Sequence, residues 1–137
     1  MAYWLLKTEP AEWSWRKQSQ KTVAPWNGVR NHQAAGFMRE MRQGDFCFFY
    51  HTGTERRIVG VVEVVKEFYP DPGDESGRFG IVDVRAVMPL ARPVLLQQIK
   101  AEPLLGHLLL VRHSRLSIMP IDAAGWRIIC RMGGITL

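Results

Sequence analysis

The sequence predicts one α+β domain over residues 1–137, a small curved sheet or partial barrel with short helices between its strands. Three observations lead there. Four or five apolar runs rich in Val, Ile, Phe and Tyr read as strands. Short segments of helical period lie between them, which is the pattern of a sheet packed against helices. No linker, repeat or low-complexity stretch divides the chain, and 137 residues suffice for one core.

In chain order, residues 2–7 ("AYWLLK") read as a first strand and 12–18 ("EWSWRKQ") as a short helix or turn. Residues 31–41 are the clearest helix, because Ala34, Phe37, Met38 and Met41 share one face. Asn31 suits its N-cap and Gly44 its end, while Gly36 inside it costs about 1 kcal/mol against alanine and calls for a packing or contact reason. Residues 45–51 ("DFCFFYH") are apolar enough to be buried on both faces, and a "TGTE" turn joins them to a strand over 56–69. After the acidic loop "YPDPGDESG" come a strand over 78–90, a helix starting at Pro93, a second short helix within 102–114, and an extended stretch over 115–121. A last helix is capped by Asp122 and ended by Gly133 and Gly134.

The formal charge is +5, and thirteen of the eighteen basic residues are arginine, the side chain suited to forked recognition of phosphate or carboxylate. The excess sits in residues 1–66, with ten basic against six acidic, while 67–137 carry eight against seven. That balance is compatible with an anionic partner such as nucleic acid, and equally with a merely basic domain. The apolar runs are too short to span a bilayer, so no membrane partner is expected. "MAYWLLKTEP" has no basic region or cleavable small-residue site, and the protein is read as cytoplasmic. Cys47 and Cys130 stand alone in apolar surroundings and read as inert core thiols, with no metal spacing.

No Walker loop, GxGxxG, HExxH or GxSxG is present, and His32, His51, His107 and His113 are scattered. No cofactor or metal is expected and the chain does not read as an enzyme. Of five tryptophans, Trp4 and Trp126 read as core. Trp26, between Pro25 and Asn27-Gly28, reads as a loop aromatic that either packs or walls a ligand site. Glu63 interrupts "VGVVEVV" and is either paired with an arginine or set in a pocket.

The blocks "YWLLKTEP", "WNGVRNHQA", "GDFCFFYHT", "IVGVVEVV", "YPDP" and "RLSIMPI" resemble, in this order, those of EVE domains. The family is similar in fold to PUA and YTH domains, which implies a PUA-like pseudo-barrel. The implied activity is non-catalytic recognition of a modified base in DNA or RNA, accepted by a tryptophan-walled aromatic cage. By position, the resemblance puts Lys7, Thr8 and Glu9 at the pocket rim. Trp26 becomes a wall, with Gly28, Val29, Arg30 and Asn31 lining the mouth. Tyr50, His51 and Thr52 end a strand facing the same space, and Tyr69, Asp71, Arg115 and Ser117 join them. Departures from the family pattern are Thr8 for serine, Asn27 for aspartate, and Ala35 and Gly36 for an arginine and an asparagine.

Arg30 at a helix start suits a phosphate. The partner implied is nucleic acid carrying a modified base, with a nuclease or RNA-processing enzyme as a further partner protein. Two other classes stand beside this reading. One is a general RNA-binding accessory domain without preference for modification. The other is a small nuclease or base-modifying enzyme using His51 and Glu63.

Overall fold

A computed structural model describes residues 1–137. Six strands form one mixed sheet: β1 (Tyr3–Thr8), β2 (Val23–Trp26), β3 (Phe46–His51), β4 (Arg57–Pro70), β5 (Gly80–Leu95) and β6 (Ile118–Ile121), in the order β2-β5-β4-β3-β1-β6. Only β1 and β3 run parallel. The sheet stays open at β2 and β6. Each of these edge strands has four residues and one exposed proline, Pro25 and Pro120, which withholds an N–H from any added strand. The long β4–β5 hairpin changes register at four places, and each irregularity bends the sheet.

β3 is the axis of the core. Five of its six residues are buried, and its side chains alternate between two covered faces. On one face Phe48 stacks on Trp126 at 3.9 Å between ring centres, and Trp126 also stacks on Tyr3 at 4.5 Å. On the other, Phe49 meets Trp15 at 5.3 Å and Trp26 at 5.5 Å, both nearly perpendicular. Helix α5 (Ala123–Met132) brings Trp126, and its N-cap Asp122 accepts from the Gly125 N–H. Helix α1 (Trp15–Lys21) brings Trp15, whose ring lies directly over Gly60 of β4. A Cβ at Gly60 would stand 2.5 Å from that ring, so only glycine lets the helix sit so close.

Helix α2 (His32–Glu40) starts as expected, with the Asn31 side chain accepting from the Ala34 N–H at 2.9 Å. Its end differs. The helix stops at Met41, and Gly44, with φ +95, instead makes the turn into β3. Gly36 has nothing within 4 Å of a would-be Cβ, so no packing reason for it exists.

Three other expectations are corrected. Residues 23–26 form a strand, because β5 offers them a ladder from Val82 to Arg85. Pro93 lies within β5 rather than at a helix start, because the ladder continues through Ile58–Val94 and Arg57–Leu95. Helix α3 therefore begins later, at Leu96–Ala101. The stretch 102–114 is a 3₁₀ turn (Pro103–Leu105) followed by the single-turn helix α4 (Leu109–Arg112). Both cysteines are buried, and burial pushes the Cys130 thiol up to about 11.

The contrast between two glycines gives a test. Gly60→Ala forces a methyl into the Trp15 ring, and overpacking of this kind costs about 1–3 kcal/mol. Gly36→Ala meets open space in a helix and is expected to stabilise by about 0.4–1 kcal/mol. Urea midpoints of the two variants should move in opposite directions.

Candidate nucleic-acid interface

The polar end of β1, strand β2 and the loop after it meet on one side of the sheet and enclose an open cavity of about 470 Å³. Trp26 closes β2 and lines this cavity with 7% of its surface exposed. It was expected in a turn with an open face. The structure seats it in a strand, perpendicular to Phe49, with the hollow beside it. The second indole on the lining is Trp13, in the bend before α1. Its N–H donates to Oε1 of Gln18 at 2.9 Å, and the Gln18 amide donates in turn to the carbonyls of Thr22 and Val84. Gln18 is fully buried, so the amide fixes the Trp13 ring to β5. Thr8 adds a bond from its hydroxyl to the Trp13 carbonyl at 3.0 Å. Sequence reasoning missed Trp13, although it is a loop aromatic on the same argument that singled out Trp26.

The remaining lining is mixed in charge. Lys7, Thr8, Glu9, Gly28, Val29, Arg30 and Ser117 line the cavity together with Glu12, Lys21 and Asn27. Lys7 is half-buried, which lowers its ammonium pKa, and its Nζ donates to the Ser114 carbonyl at 3.1 Å. Glu9 is latched by the Thr52 hydroxyl at 3.1 Å.

The 27–30 loop is held from behind by Asp71, which is buried on the β4–β5 connection. Its carboxylate accepts from the Gly73 N–H at 2.8 Å, from Arg30 at 3.1 Å and from the Gly28 N–H at 3.5 Å. These bonds, the Gly73 N–H first, hold its pKa below the ordinary 3.8. Gly28 takes φ +77 here, a conformation that favours glycine. Arg30 is thus partly committed to Asp71 and the Val29 carbonyl, though 43% of its side chain remains exposed.

Other expected residues go elsewhere. Tyr50 and Thr52 were expected to face the space beside Trp26. They open instead on a second hollow, with Arg115, because Tyr50 points to the opposite face of β3 from Phe49. Asn31 borders a third hollow while its side chain caps α2. His51 lines none of the three. Its Nε2 accepts from the Trp15 backbone N–H at 3.0 Å, which leaves the proton on Nδ1 to donate to Glu55 at 2.9 Å. Tyr69 likewise lies outside them and donates to Asp83, and burial with that bond pushes its pKa up to about 12.

Glu63 pairs with Arg85 on the neighbouring strand. In the β3–β4 ladder Glu63 faces Phe46 and His51 faces Arg57, five residues along. At about 3.3 Å per residue, His51 and Glu63 stand roughly 16 Å apart along the strand and cannot act as one pair. No group of three His, Cys, Asp or Glu side chains is placed to hold a metal ion.

The chain matches the EVE domain model over residues 2–132. It belongs to the EVE domain family. Thymocyte nuclear protein 1 of Gallus gallus is 33% identical over 153 residues, covering 87% of this chain and 63% of that protein. The Homo sapiens protein is 30% identical over 155 residues, covering 88% and 68%. This EVE domain therefore spans about two thirds of the length of those curated relatives. Among solved structures, Rpa0253 from Rhodopseudomonas palustris matches with TM-score 0.93 and 48% identity, over 98% of this chain and 94% of that one. Human THYN1 protein in complex with 5-methylcytosine containing DNA matches with TM-score 0.85 and 27% identity, over 100% of both chains. The YTH domain of Zygosaccharomyces rouxii MRB1, at TM-score 0.60 and 18% identity over 96% of this chain and 86% of that one, shares the fold alone. The expected α+β class holds, and the fold is similar to that of a YTH domain.

The Asp71 arrangement has a pH signature. Asp71 and Asp74 both titrate lower in the fold than their ordinary 3.8, Asp74 at about 2 through bonds from Ser76 and the Phe79 N–H. A carboxyl with a depressed folded pKa stabilises the fold above its unfolded value and loses that contribution as pH falls through the folded one. Thermal melts are expected to hold steady above pH ~4 and to decline between about 4 and 2. Asp71→Asn should lower Tm at pH 7 and make the acid decline shallower.

Proposed function

We propose that this EVE domain is a non-catalytic reader of modified bases in nucleic acid, taking one extruded base into the cavity walled by Trp13 and Trp26. The observation that carries the reading is that pair of indoles, each fixed to the core, on one open cavity between the end of β1 and strand β2. Its volume falls within the ~300–1,000 Å³ of small-molecule sites. The family supports it, and so does the human relative whose structure holds 5-methylcytosine DNA.

Energetics make such a site discriminating. Extruding a base from a duplex costs a few kcal/mol. Stacking on an aromatic returns about 1–3 kcal/mol. Each hydrogen bond to the base edge adds about 0.5–1.5 kcal/mol. The exchange is close to balanced, so burying one methyl, worth about 0.8 kcal/mol, shifts affinity about fourfold. Glu9 and Glu12 supply acceptors at the cavity, the chemistry that reads an exocyclic amine. Bases that carry one, cytosine, adenine and guanine, fit better than thymine or uracil.

The test is a titration of 5-methylcytosine, N6-methyladenine and unmodified oligonucleotides of one sequence, as DNA and as RNA. Native protein is expected to prefer one modified form at least fourfold. Trp13→Ala, at a half-buried position, should abolish that preference, as should Trp26→Phe with its smaller ring, while melts show both still folded. Equal affinity for every oligonucleotide, with a steep salt dependence, would replace this reading by general RNA or DNA binding.

A further inference from the structure

Two more hollows adjoin the indole-walled cavity, of about 410 Å³ and 330 Å³. They form one band with it. The first and second share Lys7, Thr8, Glu9 and Ser117, and the second and third share Ser114 and Arg115. The segment from Ser114 to Ser117, which leads into β6, is thus a ridge standing among all three.

The band beyond the cavity is strongly basic. Lys7, Arg56, Lys100 and Arg115 line the second hollow, and Arg112 joins Arg115 on the third. Glu9, held by Thr52, is the one carboxylate on either. Arg56, Lys100, Arg112 and Arg115 are exposed, and none of their side chains makes an ion pair or hydrogen bond within the protein. By contrast Arg30, Arg42, Arg57 and Arg85 are each paired with a carboxylate. Arg56 is displayed from a strained backbone, φ +45, that a non-glycine residue rarely adopts. Four uncommitted cations from three separate segments therefore gather beside the cavity with almost no opposing charge.

We infer that the second and third hollows carry the phosphodiester backbone of the strand whose base enters the first, with phosphates on both sides of the Arg115 ridge. This rests on the reader function proposed above and adds where the strand runs. Continuity decides the occupant. A strand that delivers a base to the first hollow must pass over a neighbouring surface, and this band is joined to the cavity through the Lys7–Glu9 wall. Arg56 and Lys100 meet one phosphate and Arg112 another, while Arg115 lies between them. Glu9 keeps anions away from the indole side. Such contacts position the strand and carry no base information.

The experiment measures Kd against salt, over about 50–200 mM, for a modified oligonucleotide that the native protein prefers and for its unmodified twin. The variants are Arg56→Gln with Lys100→Gln, Arg112→Gln with Arg115→Gln, and all four together. Their side chains have no internal partners, so the fold is kept. Each lost phosphate contact should lower the log–log salt slope by about 0.7–1. Both oligonucleotides should weaken by the same factor, leaving the preference between them unchanged. Arg131→Gln, on α5 and outside all three hollows, should leave the slope as it was.

A native slope in the fourfold variant overturns the backbone track while the base preference, and with it the reader, survives. An equal loss from Arg131→Gln also overturns it, since the charge would then be acting diffusely. If the native protein binds neither oligonucleotide, the reader function and the track fall together.

Discussion

The position of the candidate surface depends on the burial of Phe49. β3 alternates its side chains between two dry faces, and Phe49 is the contact on which Trp15 and Trp26 both rest. Trp15 anchors α1, and the bend before α1 carries Trp13. Trp26 ends β2. Trp26 thus rests directly on one fully buried ring, while Trp13 is held beside α1 by the Gln18 amide. Aromatic contacts of this kind add about 0.5–1.5 kcal/mol beyond burial, and they fix ring orientation as well as stability. A cavity wall built this way loses little conformational freedom when a flat ligand arrives.

Polar side chains near the site hold it in shape. Gln18 fixes Trp13, Asp71 fixes the 27–30 loop, and His51 fixes the start of α1 through the Trp15 N–H. Each is buried, and a buried polar group without a partner would cost about 1–3 kcal/mol. The same demand explains why His51 and Asp71 look functional in the sequence and prove to be supports. Exposed cations follow the opposite logic. They remain solvated at little cost, so those on the band beside the cavity stay free for a ligand.

A division of labour follows. The first hollow, aromatic and of mixed charge, is suited to a flat heterocycle. The basic hollows beside it are suited to charge that any sequence would bring. Lys7, Thr8, Glu9 and Ser117 border both kinds of surface and tie the end of β1 to the Ser114–Ser117 ridge, since the Lys7 N–H donates to the Ser117 carbonyl at 2.8 Å. On the proposed function, affinity and discrimination are separable properties of one strip of surface.

Much of this was legible in the chain itself. Apolar runs located β1, β3 and β4, a helical period located α2, and cap chemistry at Asn31 and Asp122 marked two helix starts correctly. The run around Phe48 and Phe49 announced a strand buried on both sides. Local pattern encodes which side chains avoid water, and that information is present in neighbours three or four residues apart. It does not say what covers them. The short strand β2, the continuation of β5 through Pro93 and the parallel pairing of β1 with β3 arise from partners distant in sequence. So do the recruitment of Trp13 beside Trp26 and the turning of Tyr50 away from them. The residues were set by the sequence, but their division into an aromatic cavity and a basic band required the sheet to form, because only tertiary packing brings the ends of β1, β2 and β6 to one side.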